Sequence, residues 1–185
     1  MPSGVPWYIW CSVLAVTSAM IGVHWDISWH KSIGRDTFWS PPHLAIYLSG
    51  ILAGLACGWL SLATTFGAAP EPGVRVWGFR GPLGAFICAW GCFAMMASAP
   101  FDDWWHNAYG LDVKILSPPH MILGLGIGAM RFGVMLLILG AMNRAAGRLR
   151  QALEWLFLYI GALWVVGLTV LLTEHTVRVF MHSAR

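Results

Sequence analysis

Apolar residues run almost unbroken through five stretches of the chain, at about 6–25, 42–66, 80–100, 119–142 and 152–173. Each has roughly the 20 residues that an α-helix needs to cross a hydrocarbon core of about 30 Å. Lipid offers no partner to a free backbone N–H or C=O, so the stretches predict helices and not open strands. Polar and small residues separate them. Gly67–Gly73 (GAAPEPG) and Asn143–Arg150 (NRAAGRLR) read as connections at one end, and residues 26–40 and 102–117 as polar segments at the other. The pattern predicts an all-α integral membrane protein of about five transmembrane helices, forming a single membrane domain over residues 1–185.

The two polar segments carry the same text. Asp26-x3-His30-x12-His43 returns as Asp102-x3-His106-x13-His120, and both copies close on Ser-Pro-Pro-His, Ser40 to His43 and Ser117 to His120. Without gaps, Asp26, Trp29, His30, Gly34 and Asp36 align with Asp102, Trp105, His106, Gly110 and Asp112. The arrangement predicts a parallel duplication of a two-helix unit, the first over about 6–66 and the second over about 80–142. An extra helix at about 152–173 stands apart from both.

Composition agrees with the bilayer as solvent. Hydrophobic residues make up 58% of the 185 and charged residues only 10%, with a mean hydropathy of +0.66; a soluble domain carries about 25% charged residues. The net charge of +3 is small and scattered, which argues against nucleic acid as a partner. Cys11, Cys57, Cys88 and Cys92 lie in apolar stretches and read as packing residues rather than a disulfide framework. Cys88 and Cys92, one helical turn apart, are a soft-metal pair only as a secondary reading. The N-terminus lacks a basic leader region, so signal-peptide cleavage fits badly. Arg75, Arg80, Arg144, Arg148 and Arg150 outnumber Lys31, Arg35 and Lys114 of the motif segments. By the positive-inside rule the motifs face the periplasmic or outer side, with Arg178 and Arg185 in the tail weighing against it.

Residues four apart share a helix face, so Asp26 and His30 project together, as do Asp102 and His106. Ser40 suits a helix N-cap and Pro41 the first turn, which sets His43 in the opening turn of the next span. One carboxylate and two imidazoles then converge, a donor set that leaves positions open for water, oxygen or substrate. Capping and interface roles explain one such triplet about as well; two copies with preserved spacing favour metal. Trp25, Trp29, Trp39, Trp104 and Trp105 read as interfacial anchors. Asp36 and Asp112 suit either partners that orient a ligating histidine or loop roles. Asp103 is a candidate extra oxygen ligand, and His24 has no counterpart in the second copy. Arg131, in mid-span, requires an acidic partner, a cavity or a snorkelling path. Glu174 and His175 close the fifth span at the motif end and read as tail residues.

With these residues in view, the chain resembles the copper-binding subunit of the copper-dependent membrane monooxygenases that oxidise methane and ammonia. Asp26-Ile-Ser-Trp-His30, Arg35-Asp36-Thr37 and Ser40-Pro-Pro-His43 are similar to that subunit's D-x-S-W-H, R-D-T and T-P-S-H segments. The second copy resembles a later family segment, an asparagine followed by a histidine four residues on and another fourteen beyond. Asp102 stands here where the asparagine is usual, and a charged ligand favours a harder metal or a higher oxidation state. The likeness covers about residues 20–130. It implies copper at Asp26, His30 and His43 as the catalytic, oxygen-activating site, and a second metal at Asp102, His106 and His120. It also implies partner monooxygenase subunits, a quinol or other electron donor, an oligomer, and residence in a bacterial inner membrane.

The function expected is therefore oxygen-dependent oxidation of a small substrate by a copper-binding membrane protein, a monooxygenase subunit or a shortened relative of one. Its rivals are a non-enzymatic protein for copper binding, delivery or assembly, and a b-type haem protein using histidine pairs. The haem reading leaves the repeated aspartate unexplained. Met95-Met96 is a single pair, and the lack of Met-rich clusters speaks mildly against transport of reduced copper.

Overall fold

A computed structural model describes residues 4–33, 37–68, 71–110 and 116–176. Five helices carry the fold: α1 (Trp7–Ser32), α2 (Pro41–Thr65), α3 (Leu83–Tyr109), α4 (Pro118–Met142) and α5 (Gly147–Thr176). All five are long and apolar enough to cross a membrane. Leu14, Ile21, Leu55, Phe93 and Leu125 turn outward from them, the surface expected of an integral membrane protein whose outer face meets acyl chains.

The helices run past the apolar stretches at the motif ends, as the shared helix face of each Asp/His pair requires. Asp26 and His30 lie in the last two turns of α1, and Asp102 and His106 in the last two turns of α3, so the loops proper begin later than residues 26 and 102. Before α3 the chain forms a small antiparallel hairpin, β1 (Val74–Val76) and β2 (Phe79–Gly81), which pairs Val74 with Gly81 and Val76 with Phe79. Trp77 and Gly78 turn it with φ of 49° and 87°, the left-handed pair that a two-residue hairpin requires. The third span, expected from residue 80, thus starts at Leu83, after Pro82 at its N-cap. Thr65 ties the hairpin to α2 by accepting the Arg80 N–H at 2.8 Å.

Neighbouring helices run antiparallel, and the intimate pairs are α1 with α2 and α3 with α4, joined through α2 and α3. Glycine sets the second pair. A Cβ on Gly91 would stand 2.7 Å from the Gly126 carbonyl oxygen, and one on Gly126 2.8 Å from that of Gly91. Gly84 and Gly133, one heptad away on each helix, meet in the same fashion. Small residues at a crossing let two backbones approach and exchange dispersion contacts, the main attraction between helices in lipid. Val16, Ala19, Leu60, Cys88, Met130 and Val134 fill the interior. Cys57, Cys88 and Cys92 are buried and free, in keeping with packing. At the end away from the motifs, Glu71 accepts hydrogen bonds from Tyr8 (3.1 Å) and Arg144 (2.7 Å), fastening that connection to α1 and to the end of α4.

Candidate metal centre

Each Asp/His/His triplet assembles where one helix ends and the next begins. Asp26 Oδ2 lies 3.8 Å from His30 Nε2, and Asp26 Oδ1 3.2 Å from His43 Nε2. The second triplet repeats the roles atom for atom, with Asp102 Oδ2 3.4 Å from His106 Nε2 and Asp102 Oδ1 3.6 Å from His120 Nε2. The i,i+4 pair on the outgoing helix supplies the carboxylate and one imidazole. Ser-Pro-Pro starts the returning helix, so the second imidazole enters from its first turn.

The separations in the second triplet fit a shared ion, while those of the first, 3.8 and 3.2 Å, fall on either side of the range. Nitrogen and oxygen donors about 2.0–2.2 Å from a tetrahedral first-row metal stand about 3.3–3.6 Å from one another. Three of the four distances exceed the usual N–H···O range of about 2.7–3.2 Å. In the second triplet one atom from each residue, Asp102, His106 and His120, falls within 4.8 Å of the other two. The first triplet is the more deeply set, with Asp26 only 9% exposed.

The loop after α1 orients the first site. The His43 Nδ1–H donates to the Thr37 carbonyl at 2.9 Å, which turns Nε2 toward Asp26, the orientation a metal ligand needs. Tyr47 O–H donates to the Phe38 carbonyl at 3.0 Å and pins the same loop. Ser40 occupies the N-cap position as expected, but its hydroxyl accepts the Thr37 N–H at 2.7 Å instead of capping α2. Sequence reasoning passed over Thr37 as a positioning residue because it acts through its main-chain carbonyl, which side-chain patterns do not reveal. Tyr47 carried a weak signal, one turn beyond His43 on the same face of α2.

Other candidates separate from the site. Asp103 is exposed, and its Oδ2 and main-chain carbonyl both face the Asn107 amide, at 3.5 and 2.8 Å. The extra-ligand reading of Asp103 is therefore corrected, because neighbouring positions on a helix point about 100° apart. His24 is exposed and bonds through Nδ1 to the Met20 carbonyl. Trp25, Trp39 and Trp104 are exposed near the helix ends, as anchors would be. Asp36 and Asp112 lie outside the described residues, as do the side chains of Glu174 and His175.

Two residues of each triplet line one cavity of about 410 Å³. Asp26 and His43 line it from one side and Asp102 and His120 from the other, while Met20, Ile46, Met95, Ile127 and Leu168 make its walls apolar. Arg131 and Trp164 stand at the same cavity. Comparison of the chain with protein-family models, with curated proteins and with solved structures finds no match.

Proposed function

We propose that the protein is a membrane copper protein with two Asp/His/His sites, Asp26-His30-His43 and Asp102-His106-His120, serving oxygen-dependent oxidation of a small substrate. One observation carries the reading: the same three donors, with the same atom-to-atom roles, occur twice, and the aspartate and second histidine of each line one largely apolar cavity. The duplication supports it further. α1 and α3 begin 76 positions apart, at Trp7 and Leu83, and α2 and α4 begin 77 apart, at Pro41 and Pro118, the same offsets as the motifs themselves. On this reading two helical hairpins descend from one unit, and α5 is an addition.

Copper, when bound, supplies the redox step between an electron donor and dioxygen. The chain's own residues do the rest. Each aspartate offsets positive charge in a setting where charge is costly, and holds two imidazoles to a common point. The Thr37 carbonyl keeps the His43 proton on Nδ1, so that Nε2 stays available to a ligand. The largely apolar walls limit contact with water and leave room for a small substrate. Positive-inside asymmetry supports a periplasmic placement of both sites, and the family likeness a bacterial inner membrane. Further subunits, within an oligomer, and a quinol or similar donor complete the system.

The test is oxygen uptake by membranes containing the chain, given copper, a quinol and small test substrates (a light alkane, ammonia). Uptake tied to substrate and abolished by Asp26→Asn supports the oxidase reading. Tightly bound copper with uptake no greater than in membranes lacking the chain overturns it in favour of storage or delivery.

A further inference from the structure

Arg131 lies near the middle of α4, 6% exposed, in a helix that spans the bilayer. Its Nε has no hydrogen-bond partner among the described residues. The contacts of the guanidinium there are the Met20 sulfur and the face of Trp164, whose ring centroid is 6.0 Å away. No described carboxylate pairs with it. Gly167 of α5 leaves the space the guanidinium occupies, since a Cβ at that position would collide with it. A guanidinium in such a setting is expensive without an anion, and its planar fork matches a carboxylate in two parallel hydrogen bonds.

The cavity defines the remainder of the ligand. It extends from Arg131 to the two triplets between apolar walls that include Met95, Leu123, Ile127 and Leu168. Met20, in contact with Arg131, precedes Asp26 by six residues on α1, a rise of about 9 Å. An extended chain covers that in roughly seven or eight bonds, at about 1.2 Å per bond. Asp26 and Asp102 at the far end repel a second negative charge, so a bound molecule is a monoanion with its head toward Arg131. We propose that this cavity binds a medium-chain aliphatic carboxylate, its head on the Arg131 guanidinium and its hydrocarbon end against the two triplets. The anion site stands on Arg131 and the cavity, without the copper reading. Only its consequence, that a hydrocarbon terminus is presented for oxidation, rests on the copper reading.

The test is equilibrium binding of labelled octanoate to the full chain in zwitterionic nanodiscs, with empty nanodiscs subtracted. It is run on protein as purified and again after chelation, with octanol as the uncharged control. Saturable octanoate binding that weakens at least tenfold in Arg131→Met, with octanol unaffected, is the expected result in both preparations. Gly128→Leu retains the arginine and narrows the cavity in a place where a new Cβ makes only ordinary contact with Trp164 (3.6 Å), and it should weaken octanoate as well. This second variant decides the matter if Arg131→Met does not fold. Equal binding in wild type and either folded variant, binding of octanol as tight as that of octanoate, or no saturable binding overturns the proposal. Octanoate binding that follows the metal and ignores Arg131 overturns it too. Purified protein without copper removes the copper reading but leaves the Arg131 comparison decisive.

Discussion

A carboxylate in the last turns of a membrane helix is costly unless positive or hydrogen-donating groups meet it, and Asp26 meets two imidazoles. Which nitrogen of each ring faces it decides the chemistry. At His43 the Thr37 carbonyl makes that choice, and Tyr47 keeps the loop in place by its bond to Phe38. Tyr47→Phe removes that bond and little volume. The expected outcome is weaker metal binding at the first site, by roughly tenfold, in the range for loss of an outer partner, with the second site unchanged. Metal titration against a competing chelator measures both. The residues of the two triplets were legible in the sequence because side-chain spacing encodes them. Thr37 was not, since it acts through a backbone carbonyl that every residue type carries. Asp103 was misleading because composition ignores which way a helix face points.

At the scale of elements, the two triplets depend on helix pairs closed to different degrees. The α3–α4 pair is closed by glycine at two levels, Gly84 with Gly133 and Gly91 with Gly126. Gly91→Leu places a side chain where the Gly126 carbonyl and the α4 backbone already stand. Overpacking of that kind destabilises by typically 1–3 kcal/mol, and here backbone rather than a flexible side chain blocks relief. The second triplet bridges this pair, so the variant should lower its metal affinity before that of the first, together with the thermal unfolding temperature in detergent. A shift confined to the first site would contradict the packing account. Hydropathy alone revealed the five helices. It did not reveal the hairpin at Val74–Gly81, whose three-residue strands are too short for a period-2 pattern to stand out. Nor did it reveal that α1 and α3 continue through the motifs, where Trp, Asp and His break the apolar run although helical bonding carries on.

For the molecule as a whole, the motif-bearing ends of both hairpins gather around one cavity, while the Glu71–Arg144 contact secures the other end. The sequence implied two separate sites at one membrane face. It held no sign that they share a cavity, because that depends on how α2 packs on α3, a long-range contact with no local signature. Two equivalent metal centres are the central claim, and elemental analysis of metal per chain tests it most directly. The protein is extracted without chelators as wild type, His43→Ala, His120→Ala and the double variant. The account predicts about two copper equivalents in wild type, one in each single variant and none in the double. Unchanged stoichiometry across the four, or no metal in any, would contradict it.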